Sequence, residues 1–282
     1  MSESTARSLR TGDGLTLHGE CWRPDGAPRA LVVIAHGYGE HLGRYRHVAA
    51  HLVARGYLVC ALDHRGHGRS DGTRAYVDRF DKFVDDLHQF ITQVRGEHAE
   101  LKVFLFGHSM GGLMSLAYAL RYQTQLAGLI VSSAPVNADA NVSPLMVTLG
   151  NALDRLLPRL PLLPSEDPSV LTHDQAVLDA LAADPLAYHG SLRVRLGVQI
   201  NRMAGRVRDQ LPTLRLPILI TYGDADTFVN PSGSKLAYER ASSTDKTIIG
   251  YEGLRHEMHN ESEPQRSQVL DDLANWIDAR SG

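Results

Sequence analysis

The stretch from Lys102 to Leu113, KVFLFGHSMGGL, constrains this chain more than any other. Val103, Phe104, Leu105 and Phe106 form a short run that is apolar at every position, the pattern of a strand buried on both faces. Gly107-His108-Ser109-Met110-Gly111 follows at once, and Met114, Leu116, Ala117, Ala119 and Leu120 then recur with helical spacing. A serine flanked in this way, entered from a strand and left through a helix, sits at the tip of a very sharp turn. Side chains two positions before and after it would collide, and Gly107 and Gly111 have none. The N–H of Met110 opens the helix and points to where an anionic oxygen could form. A glycine-rich turn can also contain a serine for no chemical reason, so the rest of the chain has to decide.

Short apolar strands alternate with amphipathic helices over most of the sequence. A strand pair over 7–23 turns at Asp13-Gly14, and Leu31–Ala35 reads as a buried strand. A short helix around Val48, Leu52 and Val53 precedes a strand over 57–62. Phe83, Leu87, Phe90, Ile91 and Val94 share one face of a helix over 80–98, and Gly128–Ser132 is another strand. This alternation predicts an α/β fold with a doubly wound, mainly parallel sheet. It stops near residue 137. Residues 137–205 carry no convincing strand and contain Pro144, Pro158, Pro161, Pro164, Pro168 and Pro185 between short helical patterns. They are read as an inserted helical cap, so that 1–136 and 206–282 form the two parts of one core. The sheet resumes over 216–222, followed by a helix near 231–241, a strand over 246–251 and a final helix over 264–280.

Composition excludes several functions. A net charge of −3 with no Lys/Arg run argues against a nucleic-acid partner. Nothing in the chain approaches the ~18 apolar residues of a membrane span, and the N-terminus lacks the apolar core of a signal peptide. Cys21 and Cys60 lie in apolar, strand-like runs without metal-site spacing. They are expected as buried small hydrophobes, a usage that fits a reducing, cytoplasmic compartment. His64-x-x-His67 and His256-x-x-His259 lack cysteine or carboxylate partners at a diagnostic spacing, so the sequence calls for neither a metal nor a cofactor.

A serine hydroxyl is a weak nucleophile near neutrality and needs a base within reach, itself oriented by a carboxylate. Two loops at strand C-termini supply candidates. Gly223-Asp224-Ala225-Asp226 follows the 216–222 strand, and Glu252-Gly253-Leu254-Arg255-His256 follows the 246–251 strand. His256 is the expected base. Asp224 and Asp226 both remain candidates for the acid, although Asp224 could instead close the Gly223 turn. A second oxyanion donor is expected from the loop after Leu31–Ala35, where Gly37 and Gly39 let the backbone come close and leave the Tyr38 N–H free to donate.

The motifs His36-Gly37-Tyr38-Gly39-Glu40-His41, with Gly43-Arg44-Tyr45 behind, and Asp63-His64-Arg65-Gly66-His67-Gly68-Arg69-Ser70 are narrower than the serine pentapeptide. Together with Ser133-Ala134-Pro135, Asp184-Pro185-Leu186 and His256-Glu257-Met258-His259-Asn260-Glu261, the chain resembles the monoacylglycerol lipases of the α/β-hydrolase superfamily. The resemblance implies an α/β-hydrolase fold and a serine hydrolase that releases a fatty acid and glycerol through an acyl-enzyme. Ser109 is then the nucleophile, His256 the base and Asp226 its orienter, with Tyr38 and Met110 N–H as oxyanion donors. It further implies that Glu40 and His259 bind the glycerol hydroxyls, with Arg44 supporting Glu40. A buried polar network holding the loops together is a compatible role for the same residues. Carboxylesterases and lysophospholipases use the same machinery on other esters, and an inactive binding module of this fold is the alternative outside enzymes. Tyr38 is larger than the residue expected at its position, and its ring is expected to narrow the site. The apolar helix around 145–157, sparse in charge, is a candidate for transient contact with a lipid surface, which would make the protein peripheral to a membrane.

Overall fold

In the computed structural model, which describes residues 4–138, 144–161 and 167–282, the apolar runs of the sequence become the centre of one eight-stranded sheet. Strands β1 (Ser4–Arg10) and β2 (Thr16–Trp22) form the expected hairpin. β3 (Leu31–Ala35), helix α1 (Arg46–Ala54), β4 (Leu58–Leu62), α2 (Asp81–Glu97), β5 (Val103–His108), α3 (Met110–Tyr122) and β6 (Gly128–Ser132) then alternate. Helices α4 (Pro144–Leu156), α5 (Gln175–Ala183) and α6 (Val194–Gln210) separate β6 from β7 (Ile218–Gly223). Helix α7 (Ser232–Arg240), strand β8 (Lys246–Tyr251) and helix α8 (Gln265–Ser281) complete the chain. Across the sheet the order is β1-β2-β4-β3-β5-β6-β7-β8, and every pairing from β4 onward is parallel.

The strands β3, β4, β5 and β6 are buried at every position because helices cover both faces. Alternate residues go to opposite sides. Val33, Leu105 and Val131 meet side chains of α2, α3 and α6, whereas Val32, Phe104 and Ile130 meet those of α1 and α8. After β3 the chain adds β4 on one side and β5 on the other. The switch therefore falls between β3 and β5, where Ala35 pairs with Gly107. This register sets the loop after β3 beside the turn after β5, the crevice in which doubly wound sheets bind ligands.

The stretch between β6 and β7 contributes no strand of the sheet among the described residues. Its α6 runs on to Gln210, so residue 205 lies inside a helix. Along α4 the buried Asp154 pairs with Arg195 of α6, while Leu145 and Leu156 are 76% and 77% exposed. Among the described residues no helix is long and apolar enough to cross a membrane.

The two cysteines depart from expectation. β2 pairs with β4 rather than with β3, which sets Cys21 directly opposite Cys60, and the buried pair is joined as a disulfide. The sequence argument for a reducing compartment rested on unbonded thiols and falls with that pairing.

Candidate active site

The Ser109 turn is as tight as its glycines imply. Ser109 has φ 53° and ψ −123°, a conformation costly for a residue with a side chain. A Cβ on Gly107 would lie 2.3 Å from the Gly111 carbonyl oxygen. One on Gly111 would lie 2.1 Å from the carbonyl oxygen of Ala35, at the end of β3. The two glycines thus let the turn close on itself and let helix α3 start against the neighbouring strand. The turn is held by the Ser109 N–H donating to Ser132 on β6 at 2.8 Å.

His256 arrives from the loop after β8. Its Nδ1 lies 2.7 Å from Asp226 Oδ2, and both side chains are almost wholly buried. The other carboxylate oxygen of Asp226 accepts the N–H groups of Phe228 and Val229 at 2.9 and 2.8 Å, which fixes the carboxylate plane. Asp224 does something else: its Oδ1 accepts the Gly253 N–H at 2.6 Å and ties the two loops together. Of the two aspartates, Asp226 is the one in contact with the imidazole. Ser133 Oγ donates to the His256 carbonyl at 3.2 Å and steadies the loop from below. Ser109 and His256 line one cavity of about 850 Å³. No hydrogen bond joins their side chains among the described residues. Such contacts commonly tighten only with substrate in place.

The loop after β3 is fixed from several directions. His36 Nε2 accepts the His64 N–H at 3.0 Å, so its Nδ1 carries the proton and donates to the Gly37 carbonyl at 2.8 Å. That carbonyl shares a peptide plane with the Tyr38 N–H, which it orients. Burial holds His36 far below the ordinary imidazole range, so the single tautomer is kept. Met110 is the first residue of α3, and no helical carbonyl precedes it to take its N–H. The Tyr38 ring lines the cavity and packs edge-on against Tyr188, 6.0 Å between centroids.

Glu40 and Arg44 both reach the cavity wall. Glu40 Oε1 accepts the Gly37 N–H at 2.5 Å and the Tyr45 hydroxyl at 2.6 Å, and its Oε2 accepts Arg44 at 3.1 Å. The main partner of Arg44 is a residue that the sequence reading missed. Its two terminal guanidinium nitrogens donate to Glu257, at 2.8 and 2.7 Å. Burial pushes the Glu257 carboxyl up, but the two-pronged Arg44 contact outweighs it and brings the group down to about 2. Glu40, equally buried with only one prong, is raised above the ordinary carboxylate range. The only sequence signal for Glu257 was its place directly after His256. His259, the other expected glycerol contact, is buried, stacked on Tyr45 at 5.0 Å and edge-on to Phe106 and His108. Burial lowers its imidazole to about 3, and a neutral ring fills core space there. The described residues contain no group of His, Cys, Asp or Glu side chains arranged to hold a metal ion.

Residues 26–263 match the family described as serine aminopeptidase, S33. The chain is 38% identical to the monoacylglycerol lipase of Mycolicibacterium smegmatis, covering 94% of this chain and 93% of that one. The chain belongs to the monoacylglycerol lipase family of α/β-hydrolases. It is also 37% identical to the rat (Rattus norvegicus) monoglyceride lipase, over 96% of this chain and 90% of the relative. Among solved structures, the monoacylglycerol lipase of Paleococcus ferrophilus superposes with a TM-score of 0.82 at 30% identity, covering 94% and 99% of the two chains. As a family member the chain is a carboxylic ester hydrolase, and its lining cavity carries apolar side chains such as Leu171, Leu192 and Phe228 beside the polar Glu40–Arg44 corner.

Proposed function

We propose that this hydrolase cleaves monoacylglycerols to a free fatty acid and glycerol, with Ser109 as nucleophile, His256 as base and Asp226 as its orienting carboxylate. The observation that carries the reading is the buried Asp226–His256 pair, 2.7 Å apart, in the wall of the cavity that also receives the strained Ser109. With Nδ1–H given to Asp226, His256 Nε2 takes the Ser109 proton as Oγ attacks the ester carbon. The tetrahedral oxyanion is met by the N–H groups of Tyr38 and Met110. Its collapse expels the glycerol oxygen, which takes the proton from His256. Water then attacks the acyl-enzyme in the same way and frees Ser109. The Glu40–Arg44 corner suits a small polyol, and the apolar wall suits an acyl chain.

In the same reading the α4–α6 region, placed by the sequence at 137–205, is a cap that sets chain-length preference. The exposed leucines of α4 rest on lipid while substrate enters. Two experiments test the reading. A fluorophosphonate should label the wild-type protein and leave Ser109→Ala unlabelled. A panel of mono-, di- and triacylglycerols with acyl chains from about C4 to C18 should show monoacylglycerols as the preferred class. Faster turnover of lysophospholipids or of short p-nitrophenyl esters would move the assignment to another esterase.

A further inference from the structure

Two motif residues, His41 and Asp184, take no part in the chemistry above, yet the structure brings them together across 143 residues of sequence. His41 Nε2 lies 2.7 Å from Asp184 Oδ2, with the imidazole 9% exposed. The tautomer is fixed locally. His41 Nδ1 accepts the Gly43 N–H at 3.1 Å, so the proton lies on Nε2 and is donated to Asp184. The other oxygen of Asp184 accepts the Leu186 N–H at 2.8 Å, which shapes the segment 184–188 into a strap. That strap has further attachments to the same region. The Tyr188 N–H donates to the Gly39 carbonyl at 2.7 Å, and Arg74 Nη2 donates to the Leu186 carbonyl at 2.6 Å.

The strap lies over the backbone that presents the Tyr38 N–H. Tyr38 stands between two glycines, and Gly39 has φ +75°, so local sequence does little to fix this turn. From the sheet side it is held by His36, by Glu40, and by Asp63, which accepts the Leu42 N–H at 2.8 Å. On the opposite side its polar contacts come from the strap, through His41 and Gly39. An oxyanion donor acts only if it is set for the transition-state oxygen, and a displacement of well under 1 Å weakens it.

We propose that His41 and Asp184 are positioning residues that let the strap between α5 and α6 hold the Tyr38 donor in its working orientation. The proposal rests on the serine-hydrolase reading above. It couples the half of the molecule that admits substrate to the half that performs chemistry.

His41→Asn separates the two contacts of the imidazole. An asparagine can still accept the Gly43 N–H but is too short to reach Asp184. In the full-length protein, His41→Asn should lower kcat on p-nitrophenyl butyrate about tenfold with KM within about twofold, the signature of a contact used only in the transition state. The affinity of a trifluoromethyl ketone, whose adduct places an oxyanion on the same donors, should fall by the same factor. Asp184→Ala should behave alike, and the double variant should lose no more than either single one. Thermal melting of each variant identifies any that fails to fold, and His41→Asn then carries the test. Full turnover in folded variants, losses that multiply in the double variant, or a raised KM at unchanged kcat would each overturn the coupling alone. A wild-type protein without Ser109-dependent turnover would overturn the hydrolase reading, and the coupling with it.

Discussion

The Ser109 turn and helix α4 are opposites within one chain. Around the turn, two absent Cβ atoms leave backbone within 2.1–2.3 Å of where they would sit, and the carboxylates nearby, Asp226, Glu40 and Glu257, are buried and hydrogen-bonded. On α4, Leu145 and Leu156 lie three-quarters exposed, and one buried aspartate is the chief polar anchor to α6. The difference separates two requirements. Chemistry needs atoms fixed to a fraction of an ångström, and dense packing with hydrogen-bonded carboxylates supplies that. A cap that admits a flexible lipid, the role proposed for α4, needs a surface that tolerates many contacts, and its exposed leucines offer one.

Breaking the tight region should cost most. Ser109→Ala should lose turnover by about 10⁶, measured on a purified sample, since the triad acts as a unit. A variant that keeps a tenth of the wild-type rate would remove Ser109 from the chemistry. Asp226→Asn should retain the fold and lose about 10⁴ in kcat, because an amide no longer favours the required imidazole tautomer. Activity within tenfold of wild type would return the role to Asp224. Arg44→Ala leaves Glu40 and Glu257 buried without their shared cation. It should lower stability by about 3–5 kcal/mol in urea titrations, whereas loss of an exposed ion pair costs under about 1 kcal/mol.

The buried histidines predict a gentler effect. Burial lowers His64 to about 3 and His67 to about 4, so both stay neutral in the native state down to those values. The unfolded chain takes up their protons near 6.5, so their contribution to stability is lost as the pH falls from 6.5 toward 4. His67→Leu should therefore show a smaller drop in Tm between pH 7 and 4.5 than wild type, even if its Tm at pH 7 is lower. An equal or larger drop would contradict the assignment. The smallest effect belongs to α4. Leu149→Asp should leave Tm and short-ester turnover nearly unchanged while reducing co-sedimentation with lipid vesicles. Unchanged sedimentation would remove the lipid contact and leave α4 as packing only.

How much of this was legible in the sequence follows from how far each relationship reaches along the chain. The Ser109 turn is local, and its glycines announce it. Asp226 and His256 lie in loops after successive strands, so the alternating pattern singles out both loops, while the choice of Asp226 over Asp224 comes from the family resemblance. Strand partners are different, because nothing in the residues says that β2 neighbours β4, and the Cys21–Cys60 pairing was missed for that reason. The family resemblance pairs Arg44 with Glu40, four residues before it, while its two-pronged partner Glu257 lies 213 residues away. His259 enters through the family resemblance alone, and no local pattern announces its surroundings. Its stacking on Tyr45 depends on a packing that the sequence does not display.

The Cys21–Cys60 bond carries a consequence for how molecules of this protein differ from one another. It closes a span of 39 residues, worth about 4 kcal/mol of unfolded-chain entropy, yet both sulfurs lie beneath the surface, where a thiol reagent has no line of attack. Oxidant or reductant reaches it only when the chain opens, so exchange is gated by unfolding rather than by encounter. Each folded copy thus keeps for long the redox state in which it was made. Two batches could match in every rate and still part company on heating.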